Sequence, residues 1–367
     1  MFLNFGRDYQ PLNRIEVSKA SLLHNYAYLS SLKSIAPVLK SNAYGHGIIE
    51  VAKILDNLKA PYFCVDSLYE AYQLLKAKIK TPILIMGYTD PQNLKIKKLP
   101  FSYAVFDLQT VKVLDQFQAG CGVHIFVDTG MNREGIKIED LADFLQYLKS
   151  YSYLKIEGLM SHLSCADNKK DPLNLLQIKN FQKAIKITKH YGFNPKWIHL
   201  ANSDGLLNQL PTSEVGIQNM ARVGLALYGI STNPNLKPIL TLKSKIIQIK
   251  KLQKGDRIGY GGTFKVKKPM FLGVLPIGYY DGIDRRLSNK GWVLIDDIPC
   301  RILGRVSMNI TTVDISKVPN PKIGEEVLIY SNNPKDPNSL GKTAKHCKTI
   351  PYELLVHLAG TTRRVII

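Results

Sequence analysis

The chain has 367 residues, 45% of them hydrophobic and 21% charged, a balance that excludes a disordered or fibrous protein. No apolar run approaches the roughly 20 residues needed to cross a bilayer, and the first residues lack the basic, apolar and small-residue succession of an export signal. The formal net charge is +20, yet the lysines are dispersed over amphipathic patterns such as KILDNLK, and no nucleic-acid motif accompanies them. The five cysteines, Cys64, Cys121, Cys165, Cys300 and Cys347, have no metal-ligand spacing, and their odd number argues against a complete disulfide framework. The expectation is a cytoplasmic protein with reduced thiols, no metal, no membrane partner and no nucleic acid.

From residue 36 onward, short apolar runs alternate with helical periodicity. The runs are APVLK at 36–40, YFCVD at 62–66, PILIMG at 82–87, YAVFD at 103–107, VHIFVD at 123–128, IEGLMSHL at 156–163, WIHLANS at 197–203 and VGLALYG at 223–229. Between them lie helix-like stretches such as GIIEVAKILDNL, LYEAYQLLKAKI, IEDLADFLQYLKS and LLQIKNFQKAIKITKHY. Repeated strand–helix units predict a parallel sheet covered by helices. Eight such strands in about 230 residues suit a closed (β/α)8 barrel, with an open doubly wound sheet as the alternative. The connector TNPNLKP then marks a change of pattern. Beyond it LTLKSKIIQIKKL, FLGVLPIGY, WVLIDDIPCRIL, ITTVDI and EVLIY predict a β-rich domain, and PYELLVHLAG a short helix. The expected fold is thus α/β: a barrel over 1–235 and a mainly-β domain over 236–367, with residues 1–17 pairing with the second domain.

Lys40 ends the first apolar run, and Ser41, Asn42, Tyr44, Gly45, His46 and Gly47 follow as a polar, glycine-rich loop. The carboxyl ends of α/β strands are where active sites are built. A partly desolvated lysine there can lose its proton and attack a carbonyl. GYGGTF at 259–264 lacks the Lys-Ser/Thr that would make it a nucleotide loop.

VLKSNAYGHG at 38–47 resembles the cofactor-lysine segment of alanine racemases, enzymes that use pyridoxal phosphate. The resemblance covers nearly the whole chain, through VDTGMNREG at 127–135, HLSCAD at 162–167, IHLANSDG at 198–205, ARVGLALYG at 221–229, GYGGTF, GYYDG at 278–282, GRVSMN at 304–309 and PYELL at 351–355. It implies that Lys40 carries the cofactor covalently and that Tyr44, Ser203 and Tyr352 bind its phosphate, with the backbone amides of Gly224 and Leu225. Arg133 would meet the ring oxygen and the substrate carboxylate, with Met131 and Asn132 nearby, and His162 would lie beside the ring. Arg222 would face the pyridine nitrogen. An arginine there donates a hydrogen bond but does not surrender its proton, which favours racemisation over transamination. Tyr260, delivered from the other subunit of a homodimer, would be the second base opposite Lys40. A tyrosine of ordinary pKa about 10 needs cationic neighbours for that task, which a Tyr260–His162–Arg222 chain supplies. Met308 would offer its amide to the substrate carboxylate, again from the partner chain. Asp167, Tyr279, Arg285 and Arg305 would line the entrance.

Two positions depart from the pattern. Many members carry a carbamylated lysine where this chain has Phe126, so Arg133 must be held by a bound anion or another polar side chain. Many have aspartate where this chain has Asn309. The implied activity is interconversion of L- and D-alanine by a two-base mechanism, supplying D-alanine for peptidoglycan. A broader amino-acid racemase and a non-catalytic pyridoxal phosphate-binding barrel are the alternatives. A decarboxylase would require substrate-binding carboxylates and cysteine chemistry that the chain does not display.

Overall fold

The computed structural model describes residues 10–211 and 218–367. The expectation of pairing for residues 1–9 lies outside them. The described chain divides into two compact units, one of Leu23–Ala43 and Val51–Leu236, the other of the residues up to Leu22, Tyr44–Glu50 and Lys237–Ile367.

Among the described residues of the first unit, eight parallel strands stand in barrel order, with the short strand Ile136–Lys137 added parallel to Val127–Asp128. The eight are β1 (Ile35–Pro37), β2 (Phe63–Val65), β3 (Ile83–Ile85), β4 (Phe101–Val105), β5 (Gly122–Asp128), β6 (Lys155–Met160), β7 (Trp197–His199) and β8 (Ala221–Val223). Ladders join β2 through β7 in sequence. A bridge from Val38 to Cys64 joins β1 to β2. Bonds from Asn219 N to Ile198 O (3.0 Å) and from Arg222 N to Ala201 O (3.1 Å) join β7 to β8. Pairing of Ala221, Arg222 and Val223 with Ile35, Ala36 and Pro37 closes the ring. The sheet is therefore a closed (β/α)8 barrel rather than an open one. Its strands read as continuous apolar runs because both faces are covered, the inner by side chains and the outer by helices.

The helices begin where sequence chemistry starts them. Ser67, Asp107, Asp171 and Asn202 each accept a bond from an amide of the following first turn, satisfying donors that a helix start leaves orphaned. The predicted strand at 223–229 is shorter than expected. Only Ala221–Val223 is extended, and Gly224 O then accepts from Leu227 N in a turn.

In the second unit, six strands order as Ile298–Arg301, Trp292–Ile295, Glu326–Tyr330, Leu240–Lys245, Arg14–Val17 and Arg363–Ile366. Arg14–Val17 is antiparallel to Leu240–Lys243 and parallel to Arg363–Ile366. The hairpin over 292–301 turns on Asp296 and Asp297, both at positive φ, as a two-residue hairpin loop requires. A second sheet sets Gln248–Leu252, Met270–Leu275 and Thr311–Asp314 antiparallel.

Candidate active site

β1 delivers Lys40 to the carboxyl end of the barrel, where its Nζ stands 3.3 Å from Asp66 Oδ1 at the end of β2. The expected glycine loop does not follow at once. Ser41, Asn42, Ala43 and Tyr44 form one turn of left-handed helix, with φ of 55°, 55°, 53° and 52°. The left-handed conformation disfavours each L-residue by roughly 1–2 kcal/mol. Such strain persists only where surrounding contacts over-determine it.

Arg222, on β8 and 3% exposed, organises the interior. Its NH1 donates to His199 Nδ1 at 2.7 Å and to His199 O at 3.0 Å. Its NH2 donates to Ser161 O at 2.6 Å and meets His162 Nδ1 at 3.0 Å. A guanidinium has five N–H groups and no acceptor. Four are engaged, and among the described residues none accepts from the fifth, Nε–H. An arginine cannot accept, so both histidines must receive at Nδ1 and carry their protons on Nε2. His199 Nε2 then donates to His124 Nδ1 at 2.8 Å, and the buried His124 Nε2 is left without a hydrogen-bond partner. Burial, then the charge of Arg222, pushes His162 and His124 down to about 3, and for His162 the charges of Arg133 and Lys40 add to this. Burial and the charges of Arg222 and His124 also hold His199 well below its ordinary range. Burial pulls Arg222 down to about 10, still protonated at neutral pH.

Ser203 opens the helix Ser203–Leu207 after β7. Its Oγ accepts from Gly224 N at 3.1 Å and Ala226 N at 3.2 Å. With both lone pairs used, the hydroxyl retains a proton to donate. The Gly224 amide is thus turned to Ser203, not outward as expected, because the tight turn after β8 brings it over the hydroxyl.

Arg133 lies on a loop that Asp128 shapes by accepting from the amides of Gly130, Met131 and Asn132. Its Nε pairs with Glu134 Oε2 at 3.3 Å. Phe126 is buried in an apolar cluster with Ala104, Met160 and Phe106, so nothing polar replaces a carbamylated lysine at that position. The residue that meets Arg133 is its own neighbour. Gln177, fully buried on the helix Pro172–His190, donates to His162 O at 2.9 Å and Thr129 Oγ1 at 3.4 Å and accepts from Ser164 N at 2.9 Å. It clamps the loops that carry His162 and Arg133. Asp167 lies exposed near them, and its charge, after burial, raises Asp204.

The second unit brings another set together. Tyr260 is 74% exposed within a run of left-handed glycines, Gly259, Gly261 and Gly262. A Cβ at Gly261 would lie 3.5 Å from Arg305 NH1. Tyr279 N donates to Ser307 O and Tyr280 N to Met308 O, so Tyr279 and Met308 lie on adjoining segments, both exposed. Asn309 Nδ2 donates to Asp281 Oδ2 at 3.4 Å. Arg285 opens a short turn of helix, exposed. Tyr352 lies on the helix Pro351–Val356. That helix meets the segment of Tyr44, since a Cβ at Gly45 would come within 1.9 Å of Leu355 O. Arg364 fixes the same segment by donating to Gly45 O from Nε and NH2.

Asp66, Gln177, Glu134 and His199 meet the candidate residues, though the motifs singled out none of them. His199 stood inside IHLANS, but its spacing carries no signal for a bond to an arginine on the next strand.

A family model for the N-terminal domain of alanine racemase matches residues 17–232, and one for the C-terminal domain matches 239–366. An alanine racemase of Syntrophobacter fumaroxidans is 34% identical over 355 residues, covering 93% of each chain. One from Borreliella burgdorferi is 35% identical over 346 residues, 90% of each. Among solved structures, the alanine racemase of Clostridium difficile 630 superposes with a TM-score of 0.90 at 27% identity, over 98% of this chain and 97% of that one. The Bacillus anthracis enzyme with bound L-Ala-P gives 0.88 at 28% identity, over 98% and 96%.

Proposed function

The chain belongs to the alanine racemase family, and from that premise we propose that Lys40 and the partner subunit's Tyr260 are the opposed bases of its reaction. That reaction is the interconversion of L- and D-alanine with pyridoxal phosphate. The residues present fit the cofactor. Arg222 has one N–H left for an acceptor such as the pyridine nitrogen, and the Ser203 hydroxyl has a proton left for a phosphate oxygen. Tyr44, Tyr352 and the amide of Leu225 are the further phosphate ligands in this reading, the Gly224 amide serving instead to hold the Ser203 hydroxyl. When bound, pyridoxal phosphate delocalises the electron pair left by removal of the substrate's α-proton.

The chain's own groups then divide the work. Lys40 Nζ takes or returns the α-proton on one face, and the phenol oxygen of the partner subunit's Tyr260 does so on the other. His162 carries its proton on Nε2 because Arg222 occupies Nδ1, so it can donate to a phenolate and ease that ionisation. Arg222 would donate to the ring nitrogen without giving up its own proton, so the returning proton is directed to the substrate's α-carbon and racemisation is favoured over transamination. Arg133 and the partner's Met308 amide hold the carboxylate, and Asp167, Tyr279, Arg285 and Arg305 line the way in. The exposure of Tyr260 in the single chain supports a homodimer that covers it.

We divide the labour near residue 235, with the barrel and Tyr352 holding the cofactor and residues 236–367 otherwise contributing to the partner's site. We also assign the enzyme to the cytoplasm, a reading supported by its five free thiols, and to the supply of D-alanine for peptidoglycan. Among the described residues no helix is long and apolar enough to cross a membrane.

The observation that carries the function is the guanidinium of Arg222, saturated except at Nε. Exchange of the α-proton of each alanine enantiomer in deuterated water tests it. Both enantiomers should exchange with added cofactor, and neither in Lys40→Ala. Exchange at the wild-type rate in that variant refutes the assignment.

A further inference from the structure

Glu70, on the helix Leu68–Lys76, lies outside every motif that the sequence displays. Each of its carboxylate oxygens accepts a backbone amide, Oε1 from Ser41 N at 2.6 Å and Oε2 from Asp66 N at 2.8 Å. Those amides stand at the ends of β1 and β2, one residue after Lys40 and at its side-chain partner. The Glu70 amide is itself tied to Ser67 Oγ at 3.3 Å. Asp66 is held from the far side as well, since Gly87 N donates to Asp66 O at 3.0 Å and a Cβ at Gly87 would come within 2.4 Å of that oxygen. Ser41 opens the left-handed turn of four non-glycine residues, a conformation that needs external support.

We infer that Glu70 is a positioning residue that locks this turn, and so fixes the direction in which Lys40 leaves its strand. The inference rests on the reading of Lys40 as the cofactor lysine. The chemistry is specific to a carboxylate. Both donors are N–H groups, so both facing atoms must accept. Glutamine offers one acceptor and turns an NH2 toward the other amide. Glu70→Gln is therefore not a silent exchange here.

The test uses the holoenzyme, with Glu70→Gln and Glu70→Ala beside the wild type. Amide hydrogen exchange is followed by mass spectrometry in residues 38–46, with 240–252 as a distant control, together with the rate of cofactor release. Each lost bond should speed local exchange about tenfold, so Gln lies between wild type and Ala. Cofactor release should quicken in the same order while the control segment stays unchanged. Unchanged exchange at 38–46, a Gln variant equal to wild type, or equal acceleration in the control segment overturns the role. Borohydride reduction and peptide mapping of the wild type separate the two readings. Label on a lysine other than Lys40 removes the reading of Lys40 and this inference with it. Label on Lys40 with unchanged exchange removes the positioning role alone.

Discussion

The chain Arg222–His199–His124 makes a graded prediction, because the loss at each link depends on what is left unpaired. In His124→Leu, the ring whose Nε2 already lacks a partner disappears. His199 Nε2 loses its acceptor at 2.8 Å. One orphaned N–H is exchanged for another, and one neutral hydrogen bond is lost. The expected loss of stability is about 1 kcal/mol. In His199→Leu, an NH1 proton of Arg222 loses its acceptor at 2.7 Å, and that donor is charged and buried. Bonds to charged groups are worth more, and a buried charge left short of a partner is strongly penalised. We expect about 2–4 kcal/mol, together with a fall in kcat of up to about 100-fold as the guanidinium shifts. Urea denaturation with a check on constant slope measures the first, and initial rates in both directions the second. Equal destabilisation by the two substitutions, or a larger kcat loss in His124→Leu, would refute the donor assignment along the chain.

Other outcomes follow from the same geometry. His124 and His162 protonate near 3 in the folded chain and near 6.5 when unfolded, so the unfolded state binds more protons in between. Stability should be complete above about 6.5 and fall as pH drops toward 3, by up to about 1.4 kcal/mol per pH unit per histidine; His124→Leu should flatten that slope, and denaturation curves at several pH values read it. Tyr260→Phe should depress the two directions of racemisation unequally, as isotope exchange from each enantiomer would reveal, and equal small losses would count against the two-base assignment. With Phe126 sealed in an apolar cluster, activity should be unchanged by removal of carbon dioxide and bicarbonate, and restoration of a lost rate by bicarbonate would contradict that. Asn309→Asp places a carboxylate against Asp281 in exchange for a 3.4 Å bond; it should lower stability by about 1 kcal/mol, a difference that thermal melting of the two proteins detects.

The barrel was legible because its physics is written locally. Strands covered on both faces must be apolar throughout, and β3 as Ile83–Ile85 has no alternative to burial. The candidates Lys40, Arg133, His162, Ser203 and Arg222 could be named in advance because each sits in a motif on or just after a barrel strand. The left-handed turn was not, because Ser41, Ala43 and Tyr44 have no preference for positive φ; contacts from elsewhere impose it. Glu70 and Gln177 were equally hidden. A polar residue on a helix reads as a solvated face, and nothing in its sequence neighbourhood shows that it grips backbone 29 or 15 positions away. The placement of Tyr44–Glu50 with the β-rich unit was invisible for the same reason.

The bonds from Arg364 to Gly45 O span 319 positions, and that distance is also a delay. At the usual 5–20 residues per second of synthesis, roughly 15–60 s separate the emergence of the two partners. The barrel strands can pair as they are made, but the bonds that hold Gly45 O wait until residue 364 has been added. A nascent chain stalled before that point should fold its parallel sheet while holding cofactor poorly. Tight retention of the coenzyme would then serve as a timer for completed synthesis.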